Sequence, residues 1–284
     1  MPARRLTWLD VFTAKPLAGN GLAVVHDADE LDDTTMLAFA RETRLSETTF
    51  VQRADRGGAD YRTRIFTMNG ELDFAGHPSL GTAVAVARSR GEARASYVQQ
   101  TRAGLQPVEV ELDGRAARAS ILQEPADFRA VLDADVLLPL GLDPADAHPE
   151  LPPQVVWTGL AHLLIPARDA SVLGRIAPQA DAVRTLLQEA RAEVAYLTAI
   201  DPAASTAEAR GIWTSPYGIA EDPATGSAAG PLMAYVNARL GLTALTVTQG
   251  VAIDRPSRLD CSIEDDRVRV AGDAVVVAEG EVWL

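Results

Sequence analysis

The sequence is poor in the residue types that most catalytic and structural devices need. It has one cysteine, Cys261, among 284 residues. An intrachain disulfide and a multi-cysteine metal site are therefore excluded. It has one lysine, Lys15, which sits before Pro16 in a turn-like stretch and is poorly placed to form a Schiff base with a pyridoxal cofactor. Its four histidines, His26, His77, His148 and His162, have no second ligand at helical spacing, so no helical zinc site is expected. No apolar run is long enough to span a membrane, and the first ten residues, broken by Asp10, do not read as a signal peptide. Aromatic residues make up 5% and the net charge is −13, so the chain repels phosphate backbones and nucleic acid is not an expected partner. A cytoplasmic enzyme or binding protein remains.

What is present is an ordinary globular composition, 47% hydrophobic and 23% charged, in a chain of one large or two ordinary domains. Strands are expected at 6–13, 21–26, 47–53, 60–67, 96–101, 107–113 and 116–122, with a capped helix at 32–44. Residues 76–90 read as a helix of small residues, apolar almost all round and hence buried on every side. The second half follows a similar plan. Strands are expected at 155–157, 162–165, 193–199, 244–249, 258–263, 266–271 and 274–278, an amphipathic helix at 177–190, and a second small-residue helix from Gly226. A link near 123–127 divides the chain.

Asp73-Phe74-Ala75-Gly76-His77 and Asp222-Pro223-Ala224-Thr225-Gly226-Ser227 look like a weak repeat, the two glycines 150 residues apart with Thr225 inserted. A glycine and a polar residue at a helix start expose backbone N–H groups that bind anions and stabilise an enolate-like transition state. Ser227 and Asp222 suit ordinary capping and turn roles equally well. His77 is either a hydrogen-bond donor in a site or a satisfied, partly buried histidine. Glu47 is either a solvated carboxylate at a strand end or, in an apolar enclosure, an acid/base with a raised pKa. A serine hydrolase using Ser227 with His77 and Asp222 lacks the Gly-x-Ser-x-Gly elbow, since Thr225 and Ala229 occupy its glycine positions. Neither a phosphate loop nor a dinucleotide fingerprint is present.

Five blocks, in order, resemble the PhzF family of phenazine-biosynthesis-type isomerases. They are Asp10-Val11-Phe12-Thr13 with Gly19-Asn20; Ser46-Glu47-Thr48-Thr49-Phe50; Arg64-Ile65-Phe66-Thr67 leading to Glu71 and Phe74-Ala75-Gly76-His77-Pro78; Glu221 through Ala228; and Gln249-Gly250 with Arg255-Pro256-Ser257. The resemblance implies an α/β (α+β) diaminopimelate epimerase-like fold. Each of two pseudo-symmetric halves would be a curled, mostly antiparallel sheet around a central helix. The expected halves are 1–124, joined by the last strand at about 276–284, and 125–275.

The resemblance also implies a cofactor-independent isomerase or epimerase, with no metal, moving a proton on a small, cyclic amino or hydroxy acid. Glu47 would be the proton-shuttling acid/base, with His77, Asp222 and Ser227 assisting. Asn20, Gly76, Thr225 and Gly226 would bind the substrate carboxylate, and the chain would form a homodimer. Related racemases carry a cysteine at each helix start, where this chain has Gly76 and Gly226, so a two-thiol racemase is not expected. Gly21, Met68 and Asp73 depart from the prolines usual in the family. A non-catalytic carboxylate-binding protein is the alternative.

Overall fold

The computed structural model describes residues 2–215 and 218–284; Met1, where the leader reading begins, lies outside them. The chain divides into two compact units, one running to Leu122 and including Ala271–Leu284, the other spanning Gln123–Val270.

In the first unit the order is β1 (Ala3–Val11), β2 (Asn20–Val25), α1 (Asp33–Thr43), β3 (Glu47–Gln52), β4 (Tyr61–Phe66), β5 (Glu71–Leu72), α2 (Gly76–Arg90), β6 (Arg94–Thr101), β7 (Gly104–Asp113) and β8 (Ala116–Leu122). Pairing is antiparallel except for β2–β3 and β4–β6. Helix α2 packs on β1, β2, β3, β4, β6, β7 and β8, and every residue from Gly76 to Ala87 is buried. Its small side chains permit this: a Cβ on Gly81 would stand 2.6 Å from the Leu22 side chain. Thr82 of the helix donates to Thr49 of β3 at 2.8 Å.

The second unit contains β9 (Asp127–Val131), β10 (Gln154–Trp157), β11 (Ala161–Pro166), α3 (Ala180–Ala190), β12 (Ala195–Asp201), β13 (Thr206–Ser215), β14 (Gly218–Asp222), α4 (Gly226–Leu240), β15 (Ala244–Gln249), β16 (Ser257–Glu264) and the start of β17 (Arg267–Trp283). Its ladders repeat those of the first unit: β10–β11 antiparallel, β11–β12 parallel, β12–β13 and β13–β14 antiparallel, β13–β15 parallel, β15–β16 antiparallel. Helices α2 and α4 are each 15 residues long, and each is closed by a left-handed glycine, Gly91 and Gly241.

Three features differ from the sequence reading. Strands β5, β9, β13 and β14 are additional. The inward residues of β13 include Ala207 and Ala209, too small to show an alternating apolar pattern against their charged neighbours. The expected strands 266–271 and 274–278 are one, because β17 continues through Gly272-Asp273 to pair with β1, with a register shift between Trp8 and Leu9. No insertion is needed in the repeat. Arg64 grips Glu71 through Nε and a terminal nitrogen at 2.8 and 2.6 Å, and Arg210 grips Glu221 the same way at 3.0 and 2.5 Å. These twin clasps align Glu71 with Glu221 and Gly76 with Gly226 at one offset. Asp222 therefore matches Leu72, and Thr225 matches Ala75.

Gly230 of α4 lies against the buried Gln123 amide, which donates to the Gly226 carbonyl at 2.9 Å and accepts from Thr158 at 2.5 Å. A Cβ at residue 230 would be 1.9 Å from Gln123 Oε1. Gly230→Ala is expected to expel that amide, strand its two partners and cost about 2–4 kcal/mol. Gly174→Ala, with open space around it, should stay within about 0.5 kcal/mol of wild type; urea denaturation of both variants checks this.

Candidate active site

In the first unit the site is built where β2, β3 and α2 begin. Gly19 turns the chain into β2 with φ +63°, and a Cβ there would lie 2.4 Å from the Val11 carbonyl. The turn delivers Asn20, 1% exposed, to the α2 start. Ser46 donates to Asn20 Oδ1 at 3.3 Å, and Asn20 Nδ2 lies 3.1 Å from His77 Nδ1. The other ring nitrogen is Nε2. That nitrogen is 3.5 Å from Glu47 Oε2 and makes no hydrogen bond within the protein. Burial pushes the His77 imidazole down to about 3, against a backbone hydrogen bond with Gly21 that favours protonation. The contact at neutral pH is thus a neutral ring beside a carboxylate, not an ion pair. Glu47 is not the solvated strand-end carboxylate of the bland reading, because its side chain is only 17% exposed.

In the second unit Ser227 follows the helix-start glycine as His77 does in the first. Its hydroxyl meets His162 Nε2 of β11 at 3.1 Å. One unit therefore puts a histidine on the helix and its partner on the second strand; the other reverses them. His162 is buried, with its imidazole pushed down to about 3 by burial, and its Nδ1 has no partner. Among the described residues no carboxylate orients that ring, so Ser227–His162 lacks the third member of a hydrolase triad. The sequence reading missed His162, since a histidine inside the buried run Ala161–Pro166 carries no signal of its own.

Asp222, Thr225 and Gly226 come together with Ser227 at the α4 start. Thr225 donates to Asp222 Oδ2 at 2.7 Å. The N-cap residues, Ala75 of α2 and Thr225 of α4, make no side-chain cap hydrogen bond. Strand register shows where the symmetry breaks: Thr48 and Ala195 take the same place, opposite Phe66 and Ile212, so Glu47 is matched by Val194. Among the described residues no cluster of three or more His, Cys, Asp or Glu could hold a metal, and no helix is long and apolar enough to cross a membrane.

The family model described as phenazine biosynthesis-like protein, PhzC-PhzF, matches residues 9–280. The chain belongs to the PhzF family. It is 34% identical over 291 residues to a trans-2,3-dihydro-3-hydroxyanthranilate isomerase of Pseudomonas aeruginosa, covering 99% of both chains. A solved structure described as a predicted epimerase from the same organism superposes with a TM-score of 0.87 at 36% identity, again covering 99% of each chain. A probable proline racemase of Agrobacterium radiobacter gives 0.68 over 99% of this chain and 93% of its own, a likeness of fold alone at 13% identity. The protein is an isomerase of this family with the epimerase-like fold.

Against the PhzF pattern, the departure at Asp73 adds no isolated charge beside α2. The carboxylate is 65% exposed and lies 3.0 Å from Arg102, which also reaches Glu71 at 3.3 Å. At Met68 the backbone carbonyl accepts from Arg41 at 2.9 Å. Gly21 pairs with Asp10 across the β1–β2 ladder.

The depressed histidines also set an acid limit. His77 and His162, and His26 at about 4, stay neutral in the folded chain below the ordinary value of 6.5. Once unfolded they take up protons near 6.5, so unfolding binds protons and stability falls as pH drops from 6.5 toward 3. The slope is at most about 1.4 kcal/mol per pH unit for each histidine. His26→Gln, away from the α2 start, should reduce the slope between pH 6 and 4 by up to that amount. Urea titrations at several pH values check it, and an unchanged slope refutes the assignment.

Proposed function

We propose that this PhzF-family isomerase moves a proton between carbons of a small carboxylate of the dihydro-hydroxyanthranilate class, with Glu47 as the acid/base. The observation that carries the reading is the single carboxylate at the β3 start, 3.5 Å from a neutral histidine, where the other unit has Val194. A racemase needs an acid/base on each face of its carbon. A proton shift on one face needs only one.

Glu47 takes a proton from carbon, and the electron pair spreads into the adjoining unsaturated system. Glu47 then returns the proton to a different carbon, so no proton is gained or lost overall. His77, neutral and 3.5 Å from the Glu47 carboxylate, orients it or relays the proton. Backbone N–H groups at Gly76 and Gly226, together with Asn20 and Thr225, bind the substrate carboxylate and stabilise charge as it develops. Ser227 adds a hydroxyl held by His162, and Asp222 relays or orients. Family resemblance further supports a cytoplasmic homodimer, which sedimentation should report as twice the chain mass.

Proton NMR in D₂O with trans-2,3-dihydro-3-hydroxyanthranilate tests the chemistry. Wild type should isomerise it or admit deuterium, and Glu47→Gln should lose about a hundredfold or more in turnover while still binding. Full turnover by Glu47→Gln refutes its role. No reaction by folded wild type rejects this substrate, and lost turnover with retained binding rejects a purely binding protein.

A further inference from the structure

Gln249, which ends β15, lies in the one family-like block that the chemistry above leaves without a role. Its amide contacts four groups. Oε1 accepts from the Thr225 backbone N–H at 3.0 Å and from the Tyr196 hydroxyl at 2.9 Å. Nε2 donates to the Asp222 carbonyl at 2.7 Å and to Thr225 Oγ1 at 2.9 Å. Thr225 then donates to Asp222 Oδ2 at 2.7 Å.

The chemistry of the partners fixes every proton in this set. A backbone N–H only donates, so Oε1 must face Thr225. A backbone carbonyl only accepts, so Nε2 must face Asp222. Tyr196 is fully buried, and burial pushes its phenol well above the ordinary range, so it remains a donor. Thr225 Oγ1 receives the second amide proton and must send its own hydrogen to Asp222.

The surrounding backbone makes room for this. A Cβ on Gly211 would lie 2.6 Å from Thr225 Oγ1 and 3.1 Å from Gln249 Nε2, and one on Gly250 would lie 2.6 Å from the Pro223 carbonyl. Strand register and the twin clasps put Ile65, Leu72 and Ala75 of the first unit at the places of Gly211, Asp222 and Thr225. The first unit therefore has no such chain.

We infer that Gln249 is a positioning residue that sets the direction of every hydrogen bond from Tyr196 to Asp222, so that Oδ2 is held as an acceptor and any proton Asp222 takes up goes to Oδ1. This rests on the reading in which Asp222 takes part in the reaction. Reversing the amide's polarity should hurt more than removing it. Gln249→Glu keeps the shape but must accept from Thr225, drawing its hydrogen away from Asp222 and adding a nearby negative charge. Gln249→Ala loses the shape but does not reverse the chain. A residue that merely fills space gives the opposite order.

The test is a carbon-13 carboxyl NMR titration of Asp222, assigned with Asp222→Asn, which requires no substrate. The Asp222 midpoint should rise in Gln249→Glu, rise less in Gln249→Ala, rise in Thr225→Val and return in Thr225→Ser, which restores the hydroxyl. An unmoved midpoint in Thr225→Val, or a larger shift in Gln249→Ala than in Gln249→Glu, overturns the proposal; if the Gln249 variants do not fold, the Thr225 pair decides it. Turnover of Asp222→Asn separates the two readings. Full activity there removes Asp222 from the reaction, whereas lost activity with unmoved midpoints removes only the role of Gln249.

Discussion

A helix buried on every side has few ways to satisfy its first N–H groups, and in this protein the N-cap residues of the two that are so placed, Ala75 and Thr225, supply no side-chain cap. The construction of both units follows from that constraint. Small residues let each sheet close around its helix, and a glycine opens each helix, where a side chain would cover the amides. The Arg64–Glu71 and Arg210–Glu221 clasps hold the hairpins that lead into them. Both pairs are largely shielded from water, where removing one partner is far costlier than losing a surface ion pair. The donors at the helix starts are thus kept in place by parts that do not touch them.

The two units share a scaffold and differ in what they place on it. One carries Glu47 and a histidine on the helix. The other has Val194 at the matched register, a serine on the helix, a histidine on the strand, and the chain from Tyr196 to Asp222. A duplicated fold with a symmetric pair of acid/bases suits stereoinversion. This pair has lost that symmetry in the manner expected of an enzyme that handles one face of its substrate.

Much of the fold was legible in sequence because the small-residue helices are unbroken runs of helical length and many strands are short apolar runs between turn residues. The bounds of α2 could be read directly from the run after Phe74-Ala75. Strand β13 could not, since alanines at its inward positions bury well but carry little contrast. The site was legible where motifs are dense, at Asp222 through Ser227. Glu47 was marked by resemblance rather than by its own surroundings in the chain. His162 and Tyr196 had no sequence signal, because their partners lie 65 and 53 residues away. The direction of the Gln249 amide is a property of four partners taken together, and no single stretch of sequence contains them.

The last strand bears on how the molecule is made. Strand β17 supplies residues 271–284 to the unit that otherwise ends at Leu122, pairing with β1 along its whole length from Ala3 to Val11. During synthesis one edge of β1 lacks this partner until residues 274–283 have emerged, whereas the residues of the second unit, continuous in sequence, emerge earlier. The unit that bears the carboxylate is therefore the last to close, and a chain shortened at its C-terminus leaves an open strand edge in that unit rather than a smaller enzyme.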